Sequence, residues 1–149
     1  LRVHKMISSG DAKSLAQELM ALVGLPRKDA EKLPHAFSGG ERQRIGIARA
    51  LSYRPDFIFC DEPTSALDVS VQANLLNLLK DLQEKFSLTL LFVSHDLAVI
   101  RQMCDRVIVM KEGEALESDS NDNIFEHPKH QYTRSLLDAM PKFKGLAPT

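Results

Sequence analysis

Residues 57–62 of this 149-residue chain read Phe-Ile-Phe-Cys-Asp-Glu, and this segment decides the predicted fold. Four consecutive apolar residues are typical of a short strand that is covered on both faces, as in a parallel sheet. The acidic pair that follows, Asp61 and Glu62, would lie at the carboxyl end of the strand, where open α/β sheets place their ligands. The segment therefore predicts both a sheet and a candidate site.

Outward from this strand, helical and strand-like patterns alternate along the chain. Upstream, Asp11 and Ser14 are expected to act as N-caps of a helix that Gly24 and Pro26 end. The predicted helices are residues 15–22, 42–53, 70–86, 96–103, 121–126 and 132–140. The further predicted strands are residues 88–93, 107–110 and 115–117. This alternation predicts an α/β domain with a parallel sheet flanked by helices.

The composition is that of an ordinary globular domain, with 44% apolar and 26% charged residues. A net charge of −1 provides no general field for nucleic acid, so no nucleic-acid partner is expected. Cys60 and Cys104 lack metal-type spacing, which favours a reducing cytoplasm. No apolar run approaches the ~20 residues of a spanning helix, and residues 1–10 lack the apolar core of a signal peptide.

Ser38, Gly39, Gly40 and Glu41 stand at the start of a predicted helix. Two glycines let a ligand approach the backbone, and the unpaired N–H groups of a helix N-terminus bind phosphate oxygens. The alternative is a capping box, in which Ser38 and Glu41 bind each other's backbone N–H groups without any ligand. The residues alone leave both interpretations open. The arginines that follow are expected to form a solvated helix face, partly paired with carboxylates: Arg42, Arg44, Arg49 and Arg54.

Three further polar groups are candidates for chemistry. Asp61 can hold Mg²⁺ and Glu62 can orient or deprotonate a water, although an acidic pair in a loop can also cap the following helix. His95 follows the second apolar strand, where a histidine is more often a capping or packing residue. His127 and His130 have the spacing of a metal pair, but no third ligand at a suitable spacing supports such a site.

Taken in order, three segments resemble the second half of an ATP-binding cassette (ABC) domain: FSGGERQRIGIARAL, FIFCDEPTSALD and LLFVSHD. The resemblance identifies Phe37–Glu41 as the signature motif, which usually reads Leu-Ser-Gly-Gly-Gln. It implies that Asp61 ends the Walker B strand and holds Mg²⁺, that Glu62 is the catalytic carboxylate, and that His95 is the switch histidine. The D-loop would consist of Ser65, Ala66, Leu67 and Asp68.

The end of the chain refines the resemblance. Residues 123–137 are similar to the C-terminal extension of oligopeptide- and dipeptide-importer ATPases, with Gln131 where that branch usually has proline. In the signature, Phe37 replaces leucine and Glu41 replaces glutamine. We expect Glu41 to point away from phosphate, because a second anion there would repel it.

The implied fold is the C-terminal part of a P-loop NTPase (RecA-like) ABC domain, a single partial domain over residues 1–149. Residues from about 1 to 55 would form the helical lobe with the signature motif. Residues from about 56 to 118 would form the Walker B, D-loop and switch-histidine core, and those from about 119 to 149 the importer-type extension. No G-x-x-x-x-G-K-[ST] motif occurs, so we interpret the sequence as the C-terminal portion of a longer ATPase and expect the chain alone to be nearly inactive.

The resemblance also implies partners and a mechanism. ATP and Mg²⁺ would be shared with a second ATPase subunit, on whose ATP Ser38, Gly39 and Gly40 would act. Transmembrane permease subunits, and indirectly a solute-binding protein, would complete a peptide importer at the cytoplasmic face of the membrane, where this subunit would be peripheral. The alternatives are a non-transport ABC ATPase of DNA repair or the ribosome, and an inactive remnant.

Overall fold

The computed structural model describes residues 9–140, and helices and strands alternate within it from residue 39 to residue 111. The helices are α1 (Ser9–Leu22), α2 (Gly39–Leu51), α3 (Val69–Phe86), α4 (Leu97–Met103), α5 (Asn121–Glu126) and α6 (Gln131–Asp138), with 3-10 helices at Arg27–Glu31 and Pro34–Ala36. The strands are β1 (Phe57–Asp61), β2 (Thr89–Val93), β3 (Arg106–Lys111) and β4 (Glu114–Ser120). The chain divides into two compact units: the first unit ends at Val93, and the second unit begins at Ser94.

In the first unit, α1 and α2 pack against each other over a small apolar core. The buried members of this core are Met20, Val23, Leu25, Phe37 and Ala48. Gly24 ends α1 in the left-handed conformation (φ 74°), as its position after the apolar stripe predicts. Asp11 and Ser14 lie inside α1, so the prediction that they are N-caps is wrong: an N-cap has extended backbone, and the helix already runs from Ser9.

Strands β1 and β2 form a parallel pair in which Asp61 is the register partner of Val93. The predicted parallel pairing is therefore confirmed. The prediction that β1 is covered on both faces is wrong within the described residues. Alternate side chains of a strand point to opposite faces, and only one face is packed: Ile58 is buried, whereas Phe57 and Phe59 are 52% and 55% exposed.

Helix α3 carries the apolar face that its 3.6-residue period predicts, with four buried leucines. They are Leu75, Leu76, Leu79 and Leu82. Asp68 is its N-cap and accepts the Val71 N–H at 2.9 Å, a bond that lowers the pKa of the Asp68 carboxyl. Phe86, the last apolar residue of the predicted helix 70–86, is exposed at the end of the helix.

In the second unit, β3 and β4 form an antiparallel hairpin rather than further strands of a parallel sheet. Glu112 and Gly113 connect them with φ values of 52° and 86°, as in a type I′ turn. A two-residue connection can join only antiparallel neighbours, since a parallel pair needs a crossover. Glu112 and Gly113 therefore form the turn of a hairpin, and the expectation of a parallel sheet does not extend to β3 and β4.

The predicted helices near the end of the chain are confirmed as α5 and α6, and α5 packs on the hairpin. Pro141, which as a helix breaker is expected to follow α6, lies outside the described residues. Among the helices of residues 9–140, none combines the length and the apolar character that a membrane span requires.

Candidate functional site

The N-terminus of α2 is closed by the predicted capping box. The Ser38 Oγ accepts the Glu41 N–H at 3.3 Å, and the Glu41 Oε2 accepts the Ser38 N–H at 2.8 Å. The second bond lowers the pKa of the Glu41 carboxyl, because it stabilises the charged form. The capping-box interpretation is therefore confirmed, and the Glu41 carboxylate is turned back onto the Ser38 backbone.

The two glycines of this motif have different surroundings. A Cβ on Gly40 would lie 2.6 Å from the Val71 Cγ1, so the contact between α2 and α3 itself requires glycine there. A Cβ on Gly39 would meet no atom within 4 Å. Gly39 therefore presents its backbone to open space, and no packing requirement of the first unit accounts for the residue.

Gly39 faces a cavity of about 480 Å³ between the start of α2 and the segment that precedes α3. Four of the five predicted signature residues line it, namely Ser38, Gly39, Gly40 and Glu41, as do Ala66, Leu67 and Asp68 of the predicted D-loop. Ser65, the first residue of the predicted D-loop, does not line the cavity. The structure thus brings together two motifs that lie about 25 residues apart in the sequence.

Arg44 also lines this cavity, and sequence reasoning missed this position. Its Nη1 donates to the Val23 carbonyl at 3.0 Å, and the Arg42 Nη1 donates to the Phe37 carbonyl at 2.8 Å. Both guanidinium groups thus bind backbone carbonyls, at the end of α1 and in the signature motif, whereas pairing with carboxylates was expected for part of this set of arginines. The available signal was the spacing: Arg44 follows Gly40 by four residues and shares its helix face.

Asp61 and Glu62 lie at the carboxyl end of β1, and both side chains are exposed. The Glu62 N–H donates to the Val93 carbonyl at 2.9 Å, which continues the β1–β2 pairing by one residue. Glu62 has a φ of 43°, in the left-handed region that few non-glycine residues adopt. The alternative that this acidic pair caps the next helix is wrong, since Asp68 is the cap of α3.

His95 belongs to the second unit and follows Val93 by two residues. Its side chain is exposed, and the neighbouring Asp96 is the N-cap of α4, accepting the Ala98 N–H at 2.9 Å. Because Asp96 is the cap, capping of α4 does not account for His95.

The His127 and His130 pair receives no support as a metal site. The His130 Nδ1 accepts the Tyr132 N–H at 3.1 Å and caps α6. In residues 9–140, no group of three or more His, Cys, Asp or Glu side chains is placed to hold a metal ion. A magnesium ion at Asp61 would need its other ligands from phosphate and water, which is the usual mode of binding for this ion.

Comparison with known proteins places these motifs in a family. Residues 2–65 match the family model described as ABC transporter. The chain is 54% identical over 141 residues to a Brucella ovis protein named as a peptide import ATP-binding protein, a match that covers 95% of the chain and 44% of that protein.

Two further relatives carry oligopeptide transport names. Identity is 48% over 143 residues to the oligopeptide transport ATP-binding protein OppF of Streptococcus mutans, covering 95% of the chain and 46% of the relative. It is 49% over 138 residues to AppF of Bacillus subtilis, with coverage of 93% and 42%. The chain thus spans less than half the length of these relatives. The motif resemblance is confirmed: residues 2–65 match the ABC transporter family, and 93–95% of the chain aligns with ATP-binding proteins named for peptide import or oligopeptide transport.

Proposed function

We propose that this chain supplies the signature, Walker B and switch-histidine parts of an ATPase that drives peptide uptake. The observation that carries the proposal is the cavity at the start of α2. Signature and D-loop residues line it together, and Gly39 faces it with no packing reason to be glycine. The names of the relatives, which refer to peptide import and oligopeptide transport, support the transported class.

In this proposal the cavity receives the γ-phosphate of an ATP that is held by a second ATPase subunit. Gly39 and Gly40 bind it through the N–H groups that a helix N-terminus leaves unpaired, and Ser38 binds it through its hydroxyl. The capping box keeps the Glu41 carboxylate on the Ser38 backbone. A phosphate therefore competes with Glu41 for the Ser38 hydroxyl, which lies against that carboxylate.

Asp61, Glu62 and His95 act on the ATP of their own subunit. Bound Mg·ATP supplies the transferable phosphoryl group, and the charge of the ion offsets the charge that develops during transfer. The exposed Asp61 carboxylate at the end of β1 suits a magnesium ligand. Glu62 orients the attacking water and takes its proton, and His95 contacts the γ-phosphate.

The complete assembly contains the P-loop that residues 1–149 lack, a second ATPase subunit and transmembrane permease subunits, with a peptide-binding protein acting indirectly. The subunit would be peripheral at the cytoplasmic face of the membrane. Within it, three segments keep the roles that the motifs indicate: residues from about 1 to 55, from about 56 to 118 and from about 119 to 149. A non-transport ABC ATPase is not favoured, because the relatives carry import and transport names.

The proposal is tested by Glu62→Gln in the complete ATPase. Loss of the proton acceptor should reduce turnover by roughly 10²–10⁴-fold, while ATP binding is retained and an ATP-bound dimer accumulates. Glu84→Gln, which changes an exposed carboxylate on α3, is the matched control. Turnover of the Glu62→Gln variant at the control rate would refute the assignment of Glu62 as the proton acceptor.

A further inference from the structure

We infer that Ser65 is a positioning residue for the catalytic carboxylate of Glu62. The inference rests on the proposed function, in which Glu62 takes the proton of the attacking water. Ser65 does not line the cavity at the start of α2. Its contacts are directed instead to the backbone of Glu62.

The backbone of Glu62 is held on both sides. Its N–H donates to the Val93 carbonyl at 2.9 Å, at the end of β2. Its carbonyl accepts two bonds from one residue: the Ser65 N–H at 3.2 Å and the Ser65 Oγ at 3.1 Å. The peptide groups before and after the Glu62 Cα are therefore both fixed, and with them the direction in which the side chain leaves the backbone.

This fixing matters because Glu62 is in the left-handed conformation, with a φ of 43°. A glutamate without other restraints relaxes from that region toward extended or right-handed backbone, and its carboxylate moves with it. Residues 62–65 form a β-turn, with Pro63 at the second position, where proline is favoured and no N–H is needed. The turn is closed by Ser65, which donates both of the bonds to the Glu62 carbonyl.

The hydroxyl is the part of Ser65 that can be removed without opening the turn. In Ser65→Ala the backbone bond to the Glu62 carbonyl remains, so the turn still forms, but Glu62 loses one of two restraints on its carbonyl side. Catalysis by a proton acceptor is sensitive to displacements of about 1 Å. We therefore expect kcat to fall about tenfold, whereas the KM for ATP and the melting temperature change little.

The chain offers a matched control. The Ser52 Oγ donates to the Arg49 carbonyl at 2.7 Å, which is the same bond from a serine to the carbonyl three residues earlier. Ser52 lies at the end of α2, at the opposite end of that helix from the signature residues. Ser52→Ala thus removes the same kind of hydrogen bond from the first unit without touching Glu62.

The experiment compares Ser65→Ala, Ser65→Thr and Ser52→Ala in the complete ATPase, by steady-state kinetics and thermal melting. The expected result is a kcat loss for Ser65→Ala alone, with recovery in Ser65→Thr, which retains the hydroxyl. Equal kcat in Ser65→Ala and Ser52→Ala would overturn the inference. So would a rise in the KM for ATP without a change in kcat, since it would assign Ser65 to nucleotide binding.

A double variant, Ser65→Ala in the Glu62→Gln protein, distinguishes positioning of Glu62 from a direct role of Ser65 in subunit contact. If Ser65 acts through Glu62, adding Ser65→Ala to Glu62→Gln should change neither the residual turnover nor the yield of the ATP-bound dimer. Loss of that dimer would overturn the inference. The proposed function fails separately, namely when Glu62→Gln by itself retains turnover.

Discussion

Gly39 and Gly40 are neighbours in the sequence, yet the structure gives them different reasons to be glycine. Gly40 faces the Val71 side chain across the contact between α2 and α3, whereas Gly39 faces open space. Neither has a positive φ, so backbone conformation does not explain either residue. The packing explanation therefore applies to Gly40, and the ligand explanation is needed only for Gly39.

This difference predicts opposite outcomes for two alanine substitutions. Gly40→Ala should destabilise the protein by about 1–3 kcal/mol, because the new methyl group overpacks the helix contact. Gly39→Ala should leave the free energy of unfolding unchanged or slightly higher, since alanine favours the helix, but should impair ATP-dependent dimerisation of the complete ATPase. Urea unfolding and sedimentation measure the two effects. A Gly39→Ala variant with normal dimerisation would remove the ligand explanation.

Glu41 predicts a dependence of stability on pH. The Ser38 N–H lowers the pKa of its carboxyl in the folded protein, so the ionised form contributes stability above the unfolded pKa of about 4.3. That contribution is lost as pH falls through the lower folded pKa. Glu41→Gln, which restores the residue usual in the signature, should therefore melt below the original protein at pH 7 and approach it in acid.

The check is the melting temperature of both proteins between pH 7 and pH 2.5. Glu84→Gln serves as the control for the removal of one surface charge from the first unit. A difference between the original protein and the Glu41→Gln variant that stays constant across this range would show that the capping box does not depend on the charge of the carboxylate.

At the scale of elements, the second unit is held together by carboxylates of β4. Glu117 accepts the N–H groups of Lys129 and His130 at 2.8 and 3.1 Å, and Asp119 pairs with the Lys129 Nζ at 2.7 Å. These bonds attach the segment between α5 and α6 to the hairpin. These polar residues thus fix the segment of the chain that leads into α6.

We predict that Glu117→Ala destabilises the second unit by about 1–2 kcal/mol, because two backbone N–H groups lose their acceptor. Faster hydrogen exchange of the Lys129 and His130 amides should accompany the loss. Glu114→Ala, on the same strand but exposed, is the control. If both variants exchange alike at these amides, the carboxylate of Glu117 does not hold the segment.

Helix positions are well predicted by the sequence because a 3.6-residue apolar period and the capping residues act locally. For α5 the predicted bounds agree with the structure, and for α3 they differ by one residue. The burial of a strand's two faces is predicted less well than the position of a helix. The run at Phe57 to Cys60 is apolar throughout, but burial of a strand depends on what packs on each face, and a single strand does not record its partners. The antiparallel pairing of β3 with β4 was not predicted, although the short Glu112-Gly113 connection is a local signal for it.

The candidate site also combines residues that the sequence identifies with features that only the structure shows. Motif order identified the residues around Ser38 and Asp61, but not the guanidinium of Arg44, because its hydrogen bond to the Val23 carbonyl joins segments that are 21 residues apart. The left-handed φ of Glu62 was likewise hidden, since nothing in the order Asp-Glu-Pro-Thr requires it. Long-range carbonyl partners and backbone conformation are properties of the folded chain.

In the whole molecule, the proposed function depends on the start of α2, which must bind phosphate from another subunit and be more than a capped helix end. The confirmed capping box means that this claim needs a separate test, because capping alone explains the presence of Ser38 without ATP. Asp and Asn both replace Ser well as N-caps. They differ in charge. A bound anion opposes that charge during ATP-dependent dimerisation, whereas repulsion from the Glu41 carboxylate would lower the melting temperature of the unliganded protein.

The measurement is ATP-dependent dimerisation of the complete ATPase with Ser38→Asp, next to Ser38→Asn as the neutral control and with melting temperatures for both. At an effective dielectric constant of 20, two unit charges ~4 Å apart repel by roughly 4 kcal/mol. The account predicts that Ser38→Asp forms a folded monomer whose ATP-dependent dimerisation is weaker about a thousandfold, whereas Ser38→Asn still dimerises. Equal dimerisation of Ser38→Asp and the unsubstituted protein would contradict it and leave Ser38 as a helix cap only.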